Sequence, residues 1–141
     1  MGDDAKKGAA KVRQGIGDSE EANQVIKIVL PYNAKNHSHN KGHWRAKSAM
    51  VRAMRELAGW QAFTSGYEPI KGVHKISYRF YFPDNRKRDL INWAQSCKPY
   101  IDGIVDAGII EGDHWQISGI GTITASVDKV DPRIEITIEA V

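Results

Sequence analysis

Residues 74–108, HKISYRFYFPDNRKRDLINWAQSCKPYIDGIVDAG, contain the change of hydrophobic period that decides the fold. Ile76, Tyr78, Phe80 and Phe82 alternate with Lys75, Ser77, Arg79 and Tyr81, the period of two that marks a half-buried strand. Pro83-Asp84-Asn85 turns the chain. A helix is then expected from about Leu90 to Ala107, with Gly108 as its stop. Upstream, the β-branched run Val25–Leu30 predicts a strand stopped by Pro31. Residues 31–46 (PYNAKNHSHNKGHWRA) are a polar loop, and a helix follows from about Lys47 to Phe63 with Met50, Ala53, Met54 and Leu57 on one face. Downstream, strands are expected near Gln116–Val127 and over Arg133–Ala140, joined by the turn Lys129-Val130-Asp131-Pro132. In the last of these Ile134, Ile136, Ile138 and Ala140 alternate with Arg133, Glu135, Thr137 and Glu139, a two-faced strand that could pair across an edge with a second molecule. The order β-α-β-α-β-β predicts an α/β (α+β) fold, a small mixed sheet with two helices on one face.

Composition limits the scale of the molecule. At 141 residues there is room for one ordinary domain, and 41% hydrophobic with 26% charged residues excludes collagen-like and wholly disordered classes. Residues 1–23 have almost no large apolar side chains and are expected to form a flexible arm ahead of a single domain over 24–141. No apolar run approaches the roughly 20 residues that span a bilayer, and the N-terminal residues lack the apolar centre of a signal peptide, so a cytoplasmic location is expected. The single cysteine, Cys97, excludes an intramolecular disulfide and a cysteine-rich zinc site. Gly119-Ile120-Gly121 lies in a strand pattern without the lysine of a phosphate-binding loop.

The net charge of +3 conceals a segregation: Ala22–Ile101 holds 14 Lys/Arg against 4 Asp/Glu, whereas Asp102–Val141 holds 2 against 8. Clustered positive charge points to a polyanion. Between Ala22 and Arg55 there are 7 basic residues and no acid. Asn33, Lys35, Asn36, Lys41 and Arg45 in that stretch, with Arg86, Lys87 and Arg88 further on, are candidate phosphate and sugar contacts that position DNA without reading its sequence. Trp44 could stack on an unpaired base or pack inward. His37, His39 and His43 lack an acid or cysteine nearby to complete a zinc site.

Two carboxylates stand out for chemistry. Asp89 follows three consecutive cations at a helix start, where it serves equally as an N-cap or as a metal ligand beside phosphate oxygens. Asp113, in Glu111-Gly112-Asp113-His114-Trp115, lies in a turn between helix and strand. Its use depends on whether the chain returns it to the neighbourhood of Asp89, which a βαβ-like path permits.

The stretch from Arg88 to Ile117, RDLINWAQSCKPYIDGIVDAGIIEGDHWQI, resembles the core signature of RusA-type Holliday-junction resolvases, a family common in phages and prophages. The likeness covers most of the chain beyond residue 23. It implies a homodimeric, Mg²⁺-dependent endonuclease (Mn²⁺ as a substitute) that cuts branched, four-way DNA symmetrically. Asp89 and Asn92 match the family's first aspartate and its asparagine, Lys98 its lysine after a three-residue insertion, and Asp113 the catalytic member of its paired aspartates. Asp102 matches a further aspartate, taken as structural. The resemblance thus implies Asp89 and Asp113 as metal ligands and Lys98 as a third catalytic residue. Ile91 stands where the family has its second catalytic aspartate, and Gly112 replaces the first of the pair. An isoleucine cannot ligate a cation, so a weakened enzyme or a non-catalytic junction-binding protein is the alternative. A small protein-interaction domain with a basic loop is a third, which failure to bind branched DNA at low salt would favour.

Overall fold

The computed structural model describes residues 24–34 and 44–141, Trp44 by its backbone. The expected N-terminal arm over 1–23, and Lys35, Asn36, His37, His39, Lys41 and His43 of the basic loop, lie outside the described residues.

The chain is an α+β protein with strands β1 (Val25–Pro31), β2 (His74–Phe82), β3 (Ser118–Val127) and β4 (Arg133–Ala140) and helices α1 (Trp44–Thr64), α2 (Leu90–Ser96) and α3 (Lys98–Asp106). The four strands form one mixed sheet in the order β1-β4-β2-β3. β4 runs antiparallel to both β1 and β2, while β2 and β3 are parallel. A parallel pair needs a crossover, and the α2–α3 segment supplies it.

One core serves the whole unit. Ile26, Ile28 and Leu30 of β1, the even-numbered residues Ile76 to Phe82 of β2, and Ile134, Ile136 and Ile138 of β4 are buried together. Met54, Ala58 and Ala62 of α1, Ala94 of α2 and Tyr100, Ile101 and Ile104 of α3 pack on that same face. The opposite face of the sheet carries ion pairs instead, Lys27–Glu135 at 3.1 Å and Arg133–Glu135 at 2.9 Å.

The helix expected to run unbroken from Leu90 to Ala107 is two helices meeting at Cys97. Pro99 is the physical reason. It lacks an N–H, its ring clashes with the carbonyl four residues back, and it is tolerated only in a first turn. Cys97 closes α2 by donating its N–H to the Ala94 carbonyl, and Pro99 then falls in the first turn of α3. Gly108 does stop α3: it has φ +78°, donates to Val105, and is followed by the Ile109 N–H donating to Ile104. That pair of bonds is the Schellman termination, in which glycine takes the left-handed position.

α1 and α3 cross backbone to backbone. A β-carbon on Gly103 would lie 2.1 Å from the Arg55 carbonyl oxygen and 2.9 Å from the Gly59 nitrogen. The seam is latched at one end by the Arg55 guanidinium on the Asp106 carboxylate at 2.8 Å, which holds that carboxyl below the usual range. The Arg133–Ala140 strand, considered for pairing with a second molecule, cannot do so, because β1 and β2 take both of its edges.

Candidate functional site

A cleft of about 440 Å³ opens where α2 and α3 lie over β2 and β3. Ile91 and Gln95 of α2, Lys98 and Ile101 of α3, and Tyr78 of β2 contribute to its walls, with Asp113 at the turn before β3. Ser118, Gly119 and Ile120 complete the lining from the start of β3. The crossover accounts for this assembly. The chain leaves β2, runs back along α2 and α3, and re-enters the sheet beside β2. Residues that are 15 positions apart in sequence therefore meet.

The meeting is between Lys98 and Asp113. The Lys98 Nζ donates to Asp113 Oδ2, and also to Asp102 Oδ1 at 2.7 Å. Lys98 and Asp102 are one helical turn apart on α3, so they share a face. The two carboxylates raise the Lys98 pKa above its ordinary value, Asp102 contributing first and Asp113 second. Deeper in the cleft Tyr78 is buried, and burial first, with smaller contributions from coupling to the Cys97 thiol and from the Asp113 charge, pushes its phenol up to about 12. The Tyr78 hydroxyl therefore stays protonated at neutral pH.

Asp89 has a different position. Its Oδ1 accepts from the backbone N–H of Ile91 at 3.0 Å and of Asn92 at 3.3 Å, and its Oδ2 accepts from the Asn92 side-chain amide at 3.2 Å. It caps α2, as its place before the helix allows, and it is not among the residues lining the cleft. Ile91 is, with 63% of its surface exposed. The residue that departs from the resolvase signature thus borders the cleft that Lys98 and Asp113 share.

The basic residues divide into two kinds. Arg88 is held inside the turn. Its guanidinium lies 4.3 Å from the centre of the Phe82 ring, ion-pairs with Asp84 at 2.9 Å, and donates to the carbonyls of Asp84 and Arg86. With a side chain 10% exposed, it braces the turn. Arg86 also reaches Asp84, at 3.2 Å, yet its side chain is 79% exposed, and Lys87 is exposed as well. Together the arginines draw the Asp84 carboxyl well below the usual range, Arg86 first. Asn33, two residues after β1, and Arg45, at the start of α1, are exposed.

Among the described residues no three His, Cys, Asp or Glu side chains gather as a ligand cage. A hydrated Mg²⁺ uses one or two carboxylates and keeps several waters. Asp113 lines the cleft, and Asp102 shares the Lys98 ammonium with it from just outside the lining; Asp89, also outside it, is engaged as a cap. Sequence reasoning took Asp102 as structural, although its four-residue spacing from Lys98 on a helix was a usable signal. Gln95, four residues after Ile91 and three before Lys98, shares that face and could have been found the same way. Tyr78 could not, because its strand alternation looks the same as that of a core residue.

No protein-family model matches the chain. The chain is similar to a protein of Xylella fastidiosa (strain Temecula1 / ATCC 700964) described as "Uncharacterized protein", 33% identical over 89 residues, which are 60% of this chain. The match spans 58% of that relative's length. No helix among the described residues is long and apolar enough to cross a membrane.

Proposed function

We propose that the protein is a Mg²⁺-dependent, structure-selective endonuclease of the RusA type that resolves four-way DNA junctions in recombination and repair. One observation supports this above the others: Lys98 and Asp113, a pair that the resemblance assigns to catalysis, meet at an open cleft after an excursion of 15 residues. When bound, Mg²⁺ polarises the scissile phosphate and lowers the pKa of an attacking water. Asp113 would hold it, with Asp102, bound to the same Lys98 ammonium, as a second carboxylate. Lys98 stays protonated through neutral pH and offsets the negative charge that develops on the phosphate. Arg86 and Lys87, facing solvent just ahead of α2, anchor the DNA backbone without reading bases.

Ile91 favours a second reading. An apolar side chain at the cleft removes one oxygen ligand from the family's set, which fits a protein that binds junctions and cuts them slowly or not at all. Labelled four-way junctions incubated with the protein and Mg²⁺ or Mn²⁺ separate the two. Symmetric nicking that disappears in Asp113→Asn while junction binding persists supports the endonuclease. Tight binding by an intact protein that leaves junctions uncut supports the second reading.

A further inference from the structure

Two tryptophans stand on either side of the Lys98–Asp113 pair in sequence, and the fold treats them oppositely. Trp93 stacks on Tyr32 with ring centres 5.7 Å apart and meets the Phe82 ring edge-on at 5.0 Å. Trp115 is 83% exposed, the barest aromatic side chain among the described residues. An indole is a large apolar surface that proteins ordinarily cover.

The backbone beneath this indole is nonetheless held. The His114 carbonyl accepts from the N–H groups of Ile117 at 3.1 Å and Ser118 at 2.9 Å, which closes a turn around Trp115. The His114 Nδ1–H donates to the Gln116 side-chain oxygen at 2.8 Å. The His114 ring lies against Gly112, where a β-carbon would come within 3.1 Å of it. The glycine that departs from the resolvase signature thus gives the turn its room. Asp113, bound to Lys98, and Ser118 bracket this turn, and both line the cleft. Trp115 is therefore presented from a fixed stub at the rim of the cleft.

Charge narrows what the ring can meet. Between Lys98 and Lys129 the chain has no Lys or Arg, so the 111–120 side of the cleft has no cation with which to grip a phosphate. What it offers is apolar: beside the indole, Ile120 lines the cleft with 67% of its surface exposed. Such a surface suits the flat face of a nucleobase, and stacking tolerates any base. Within a duplex those faces are covered by the neighbouring pairs, so only an unpaired or splayed base can present one.

We infer that Trp115 positions the substrate by stacking on an unpaired base next to the phosphate that Lys98 and Asp113 address. The residue does no chemistry. It favours branched or frayed DNA over duplex and fixes the register of the strand at the cleft. The role at the phosphate rests on the endonuclease reading, whereas the stacking contact requires only that the protein bind DNA.

The test measures binding with Ca²⁺ in place of Mg²⁺, on a four-way junction carrying 2-aminopurine at its exchange point and on a duplex of equal length. Trp115→Leu should weaken junction binding about tenfold, within the range that one stacked base supplies. It should leave duplex binding and the melting temperature unchanged, and Trp115→Phe should recover most of the loss. In the complex the 2-aminopurine should be dimmer with the wild type than with Trp115→Leu, because an indole quenches the base on which it stacks. Trp60, 66% exposed on α1, is the control, since α1 packs on the far side of α3 from the cleft. Equal junction affinity in the wild type and Trp115→Leu overturns the inference, and marks the indole as a surface for another protein. An equal loss on duplex, an equal loss in Trp60→Leu, or a wild type that binds no DNA overturns it too. Cleavage is scored separately with Mg²⁺. Uncut junctions alongside an intact Trp115 effect count against the endonuclease reading alone, and cutting with no Trp115 effect on binding counts against the stacking alone.

Discussion

The two sides of α3 are built on opposite plans. Toward α1 the helix has no side chain at the point of contact, and Gly103 lets backbone rest on backbone. Toward β2 and β3 it presents Lys98 and Ile101 to an open cleft of about 440 Å³. The closed side fixes where the helix lies, and the open side can therefore hold charged groups at a set distance without being filled. Positional precision at the cleft is borrowed from a seam that has no chemistry of its own.

Breaking the seam should have the largest effect. Gly103→Ala forces a methyl group against the Arg55 carbonyl, and overpacking of this kind costs about 3 kcal/mol. Urea unfolding should show the loss, with cleavage falling in parallel because Lys98 loses its placement. Ile91→Asp alters the open side alone. It returns a carboxylate to an exposed position in the first turn of α2, where negative charge is favoured. Correctly placed ligation is worth roughly 100-fold in rate, so single-turnover cleavage with Mg²⁺ should rise by that order with an unchanged melting temperature. No gain would point to a chain that binds junctions only.

Asp89 tests whether the cap and the cleft are separate. Asp89→Ala should lose about 1 kcal/mol of stability, whereas Asp89→Asn, itself a capping residue, should retain it. If Asp89→Asn keeps both stability and cleavage, the residue acts as a cap alone; if stability is kept and cleavage lost, the carboxylate charge reaches the chemistry. The smallest effect concerns Lys98. Its folded-state pKa lies above the ordinary value near 10.5, so its ion pairs contribute fully below that value and are lost as pH rises through the raised pKa. Stability differences between the wild type and Lys98→Met, measured by chemical unfolding, should therefore be flat from pH 6 to 9 and shrink only in strong alkali.

Much of this was legible in the sequence where one physical rule acts alone. Alternation located β2 and β4, and the glycine stop of α3 fell at Gly108 as expected. Legibility ended where two rules competed or where the answer depended on neighbours. The apolar run from Leu90 suggested one helix, but Pro99 divides it at Cys97. Alternation assigned Glu135 to a solvent face, yet it is only 9% exposed because Lys27 and Arg133 close over it from either side. Periodicity says which face of a strand is buried and nothing about its place in the sheet, so β4 passed as a possible edge. At the site, the resemblance grouped Asp89 with Asp113; the crossover brings Asp113 to Lys98, whose other partner, Asp102, lies one turn further along α3.

The joint between α2 and α3 also contains the chain's one thiol. Cys97 is wholly buried, and burial pushes its pKa up to about 12. Thiolate is the reactive form, so alkylating reagents and oxidants can act on Cys97 only when the joint opens. Its labelling rate is thus a built-in clock for local opening. With no engineered probe, a maleimide time course could show whether the two helices part on their own or only when the whole domain unfolds.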